Sequence, residues 1–148
     1  MRKTIALLLL FCLMAVCLAG CQKQAEPADD KNGMADYLVT VETQSNALMT
    51  SLENELLTQT EMNQKSGELR DFWDSAMNRM LEEAKRTLTS FEMEKLTAEQ
   101  NAWLESTEKA VEAAGKGYEG GSMYALVVNM EAASLMEARV YEIYEMLK

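Results

Sequence analysis

Ala98-Glu99-Gln100-Asn101-Ala102-Trp103 sits at the centre of the stretch whose reading decides the fold. Around it Met93, Leu96, Gln100, Trp103 with Leu104, Thr107, Val111 and Ala114 recur at spacings of three and four, which places them on one face of a helix. Trp103 is the largest side chain of that stripe. Gly115, Gly117, Gly120 and Gly121 then interrupt it, and glycine at this density ends a helix and lets the backbone turn sharply. A second stripe follows directly, through Met123, Leu126, Val127, Met130, Ala133, Met136, Val140, Tyr144 and Leu147. The stretch from Phe91 to Lys148 therefore predicts a helical hairpin, and two amphipathic stripes need further helices to cover them.

Working upstream, Thr89 followed by Glu92 has the spacing of a capping box, so a helix starts after a tight turn there. Before it, Leu69, Trp73, Met77, Met80, Leu81, Ala84 and Leu88 form another stripe. The segment from Thr58 to Gly67 is polar on nearly every face, and Gly67 lowers helix propensity by about 1 kcal/mol relative to alanine, so a break or bend is expected in it. From Met34, a first helix of roughly six turns is expected from Leu38, Val41, Ser45, Leu48, Leu52 and Leu56. Strand signals are absent apart from the short Tyr37 to Val41 run, which also fits a helix face. The reading is all-α: a small up-and-down bundle of about four helices.

The first residues describe an address rather than a fold. Arg2 and Lys3 precede an apolar run from Ile5 to Leu18, and small residues follow, the plan of an export signal. Leu18-Ala19-Gly20-Cys21 matches the lipobox of bacterial lipoproteins, which makes Cys21 the expected lipidated residue. Gln22 to Gly33 is polar, contains Pro27, and reads as a tether. The expected layout is a signal segment over 1–20, a lipid-anchored tether over 21–33 and a helical domain over 34–148. The expected location is outside the cytoplasm, held to the cell membrane, or to an outer membrane where the cell has one.

Composition narrows the chemistry. The chain has no histidine, the commonest general base and metal ligand, and its three cysteines, Cys12, Cys17 and Cys21, all lie near the N-terminus. The body of the chain therefore carries no thiol nucleophile or disulfide, and no cofactor or metal site is expected. The formal charge of −10 includes Arg2 and Lys3, so a chain cut before Cys21 would carry −12. Such a surface repels nucleic acid and attracts basic partners.

From about 58 to 147 the residues resemble the LprI-type lysozyme-inhibitor domain, a small helical domain of exported bacterial proteins. The resemblance is carried by Thr58-Gln59 with Glu61-Met62-Asn63, by Trp73-Asp74 with Met77-Asn78, by Gln100 two residues ahead of Ala102-Trp103, by Gly120-Gly121-Ser122, and by Arg139. Lys65 and Val111, with a third position near Met130, stand where many members carry cysteines, and Thr107 replaces a common arginine. The resemblance implies a binding protein rather than an enzyme, with a basic protein such as lysozyme as partner and no small-molecule substrate. In this reading Tyr118, Glu119, Ser122 and Arg139 are the candidate partner-binding residues, the first three on the glycine-rich turn. Met62, Asn63, Asp74, Asn78, Gln100, Trp103, Gly120 and Gly121 belong to the family pattern and are assigned structural roles.

Two other classes remain open at this level. Asp71, Asp74 and Asn78 lie close to one helix face and would suit acid-base work if a cleft held two carboxylates at the right separation. Alternatively, a second stripe on the first helix, Tyr37, Met49 and Leu57, would recruit another envelope protein in a structural or assembly role.

Overall fold

The computed structural model describes residues 31–148, so the signal segment, Cys21 and most of the tether lie outside the described residues. Four α-helices make up the described chain: α1 (Lys31–Asn54), α2 (Gln59–Thr87), α3 (Ser90–Gly115) and α4 (Tyr124–Leu147). The all-α bundle expected from periodicity is the fold found.

Helix starts follow local chemistry. Thr89 caps α3: its hydroxyl accepts from Glu92 N–H while the Glu92 carboxylate accepts from the Thr89 backbone N–H at 2.9 Å. The same arrangement opens α2, with Thr58 and Glu61 in the two roles and the Thr58 N–H donating at 2.7 Å. Each box satisfies donors that the first helical turn would otherwise leave exposed.

This second box corrects one expectation. The chain does break between its first two helices, but over residues 55–58, and Gly67 lies inside α2. The polar residues after Thr58 are the capped first turns of a long helix, whose later stripe outweighs one glycine. Two smaller differences accompany it: α1 begins at Lys31 rather than Met34, and Leu56 lies beyond α1, fully exposed.

The larger difference concerns the centre of the molecule. The sequence places the α3–α4 hairpin there, whereas the closest and most extensive packing joins α2 to α4, with α1 against α2 and α3 against α4. Contacts run in the same sense along both central helices: Asn63 meets Ser122, Ser66 meets Asn129, and Trp73 meets Tyr141. α2 and α4 are therefore parallel, and α3 is the antiparallel return between them. α1 runs antiparallel to α2, since Tyr37 sits by Arg79, Ser45 by Trp73 and Glu55 by Lys65.

Burial explains why α2 occupies the middle. It buries seven residues, Ser66, Leu69, Trp73, Ala76, Met77, Met80 and Ala84, while α3 buries Leu96 and Gly115 alone. The alanines and Ser66 of α2 face a helix whose own buried set includes Ala132 and Ala133, and small side chains let two helix axes approach closely. Trp73 is 1% exposed and its indole N–H donates to Ser45 Oγ at 3.1 Å, so the ring is core with its polar atom satisfied. Trp103 is half-buried and packs against the core from α3.

Candidate partner-binding surface

The α3–α4 connection is built from consecutive tight turns. Tyr118 N–H donates to Gly115 O at 2.8 Å, Gly121 N–H to Tyr118 O at 2.9 Å, and Tyr124 N–H to Gly121 O at 3.2 Å. Gly120 takes a φ of +72°, in the left-handed region that costs other residues roughly 1 kcal/mol or more. Gly115 is buried where α4 crosses, and a Cβ there would stand 2.7 Å from Tyr124 Cε2 and 2.8 Å from Val128 Cγ1. From α2, the Asn63 side-chain amide donates to Ser122 O at 2.9 Å and pins the loop to the other central helix. The connection is thus held from both sides.

On this scaffold Tyr118 is 42% exposed, and Glu119 and Ser122 are exposed beside it. Met123 and Tyr124 continue the apolar patch. Because α2 and α4 are parallel, the α1–α2 connection emerges at the same end of the bundle, and it carries the fully exposed Leu56. Aromatic and aliphatic side chains on a braced loop, with carboxylates next to them, suit recognition of another molecule. The sequence reading missed Leu56, since its spacing continues the α1 stripe.

Arg139 does not join this surface. It lies about 24 Å from Met123 at the helical rise of 1.5 Å per residue and is 6% exposed. Its Nε donates to Gln100 Oε1 at 2.9 Å and its Nη1 to Glu142 Oε2 at 2.8 Å, while Nη2 is buried without a partner. The guanidinium therefore ties α3 to α4. Gln100 also donates to Met77 Sδ at 3.5 Å, so the Gln of the quoted stretch bridges three helices.

The other singled-out residues fall into place around these ties. Asn78 donates to the Asp74 carboxylate at 3.1 Å along α2, Gln59 donates to Asn63 at 2.9 Å, and Met62 is half-buried. Asp71 accepts two hydrogen bonds from Arg70, whose Nη1 also donates to Asn129 Oδ1 at 2.9 Å. Asn129, itself buried, donates to Ser66 Oγ at 3.2 Å and completes a polar seam between the central helices. Its signal was a lone Asn inside the apolar run Ala125 to Met130. Among the described residues, no group of three or more acidic side chains is arranged to hold a metal ion. Of the second stripe expected on α1, Tyr37 and Met49 are used internally, with the Arg79 guanidinium 4.0 Å over the Tyr37 ring and Met49 packed against the core, whereas Leu57 lies beyond α1 in the connection to α2 and is half-buried.

Comparison with known proteins follows this geometry. The family model described as Lysozyme inhibitor LprI matches residues 50–143. The match takes in the last turn of α1, all of α2 and α3, and most of α4, including Asn63, Gln100, Ser122 and Arg139. None of the curated proteins or solved structures compared gives a match. Spanning well over half of the chain and all three helices of the α2–α3–α4 unit, the match establishes that this chain belongs to the LprI lysozyme-inhibitor family.

Proposed function

We propose that this protein is a lipid-anchored, extracytoplasmic binding protein that inhibits a lysozyme-type enzyme. The observation that carries the reading is the family match over 50–143, a family named for inhibition rather than catalysis. Net charge supports it, because an acidic domain is steered toward a basic enzyme by long-range attraction. Geometry supports it as well. α1 has 24 residues, about 36 Å at 1.5 Å per residue. The loop end bearing Tyr118, Glu119, Ser122 and Leu56 is therefore that far from the start of α1, the side on which Cys21 lies in sequence. Anchoring through Cys21 would leave this end facing outward. No described helix is long and apolar enough to cross a membrane, so attachment in this proposal rests on the Cys21 lipid alone.

The test is lysozyme activity on a cell-wall substrate, titrated with the chain from Gln22 onward at low and moderate salt. Stoichiometric inhibition that weakens with salt is the expected result, and Tyr118→Ala with Glu119→Ala should weaken it further. A cooperatively folded sample that leaves lysozyme fully active at large molar excess would overturn the reading.

A further inference from the structure

Phe91 is 78% exposed, more than any other aromatic side chain among the described residues. It lies in the first turn of α3, and neither the cap nor the core uses its ring. Its place is fixed from both sides. Leu88 N–H donates to Ala84 O at 2.9 Å while its side chain packs against the core, and the Thr89–Glu92 box holds the start of α3. Side chains on a helix tilt toward its N-terminus, so a phenylalanine in the first turn is aimed past the end of the bundle.

That end is also where the chain arrives from its N-terminal segment. Tyr37 lies by Arg79. From this level the start of α1 at Lys31 lies about 9 Å along the bundle, and the end of α2 at Thr87 about 12 Å in the same direction. The start of α1 and the turn that carries Phe91 are therefore level within about 3 Å. From Cys21 to Lys31 the chain reaches at most about 35 Å. In a chain held at Cys21, the turn with Phe91 meets the bilayer without any extension of that segment. The loop end stands about 36 Å further off, the length of α1, and would touch only with the segment drawn out fully. Lys85, Arg86 and Lys95 flank the turn, and each faces a carboxylate on its own helix, Glu82, Glu83 and Glu99. The contact on offer at this end is apolar rather than electrostatic.

We infer that Phe91 is a membrane-docking residue, its ring seated in the interfacial layer of the phospholipid bilayer to which Cys21 is held. The inference rests on anchoring through Cys21 and adds an orientation to it, with the loop end directed away from the bilayer.

The chain from Cys21 onward, linked chemically through its one thiol to a maleimide lipid, is placed on phosphatidylcholine nanodiscs that carry a gadolinium-headgroup lipid. Broadening of the methionine methyl NMR signals then reports distance from the bilayer. Met34 and Met93, near Phe91, should broaden strongly, while Met62 and Met123, about 30 Å away at the loop end, stay sharp. Phe91→Ala should reduce the broadening about threefold to tenfold, the weight of about half a buried phenylalanine side chain, and leave the urea midpoint and lysozyme inhibition unchanged. Phe91→Trp should retain it, and high salt should leave the pattern in place. Equal broadening at both ends, broadening unaltered in Phe91→Ala, or its loss in salt would each overturn the docking role. So would a Met93 shift that grows with protein concentration in the absence of lipid, which would assign Phe91 to a contact between copies. Because the link is chemical, these outcomes do not depend on whether cells acylate Cys21. That is read separately, from the mass of the N-terminal peptide of chain extracted from membranes, where an unmodified Cys21 would refute the anchoring.

Discussion

Arg139→Met gives the sharpest check on how the family-pattern residues work in this fold. The guanidinium is 6% exposed and makes two hydrogen bonds, to Gln100 and to Glu142. The bond to Gln100 is charge-assisted and partly buried, and its loss costs about 1.5–3 kcal/mol. Glu142 is 59% exposed on its side chain, so that pair contributes about 0.5 kcal/mol or less. Against these, methionine keeps the packing of the aliphatic stem and removes the buried unpartnered Nη2, whose desolvation opposes folding in the native chain. The net loss expected is about 1–2 kcal/mol. Arg139→Ala, which also removes the stem, should lose about 3–4 kcal/mol, as for truncation of a buried long side chain. Gln100→Leu strands the guanidinium and should cost about 2–3 kcal/mol. Combining Arg139→Met with Gln100→Leu should cost less than the sum of the singles by roughly 1.5 kcal/mol, a coupling read from urea unfolding followed by far-ultraviolet circular dichroism. Additivity within about 0.5 kcal/mol would show that the two side chains do not interact. The same samples separate structure from recognition: under the proposed function, folded Arg139→Met should inhibit lysozyme as well as the unsubstituted chain. Lost inhibition at unchanged stability would make Arg139 a partner contact and refute its placement.

Three further perturbations follow from other parts of the fold. Thr89→Ala removes the α3 cap and should destabilise by about 1 kcal/mol. The Thr89 hydroxyl, and then its backbone N–H, hold the Glu92 carboxyl below its usual value. That contribution is present above the unfolded carboxylate value and is lost as pH falls through the lowered folded one. Carboxyl-carbon NMR should therefore show Glu92 titrating higher in the variant. Gly115→Ala sets a methyl against Tyr124 and Val128 at under 3 Å. It should cost about 1–2 kcal/mol as overpacking, and under the proposed function a shifted Tyr124 should weaken lysozyme inhibition more than Thr89→Ala does. An unchanged urea midpoint would mean that α4 does not approach Gly115 so closely. Burial, and then the hydrogen bond to Glu42, raise the Tyr141 phenol above its ordinary value. Its stabilising contribution is full below about pH 10, the unfolded value, and fades as pH rises through the higher folded one. Stability measured from pH 8 to 11.5 should fall less steeply in Tyr141→Phe, and parallel profiles would argue against a half-buried, hydrogen-bonded phenol.

The loop end and the end that carries Phe91 differ in how far a linear reading reaches them. Tyr118, Glu119 and Ser122 are neighbours in the chain, so a glycine-rich turn announces them together. That Phe91 stands level with the start of α1 depends on how α1 lies against α2, and no local pattern marks it. Leu56 continues the α1 stripe in spacing, but the stripe ends before the capping box at Thr58, which repeats the Thr-x-x-Glu spacing of Thr89 and leaves Leu56 in the connection.

Periodicity, the capping box at Thr89 and four close-set glycines were sufficient to indicate about four helices and the turn between the last two, because those signals act within one or two helical turns, whereas the boundary between α1 and α2 lies at Thr58 and not in the segment up to Gly67. Which helix stands in the middle was decided by the tertiary structure. All four stripes are apolar, and the choice rests on how small residues such as Ser66, Ala76, Ala132 and Ala133 let α2 and α4 close together. The role of Arg139 was decided there too: a helix face does not say whether a guanidinium meets solvent or, as here, the amide of Gln100 on the next helix. Long-range pairing depends on shapes that meet only after the chain has folded, and a sequence read residue by residue does not display them.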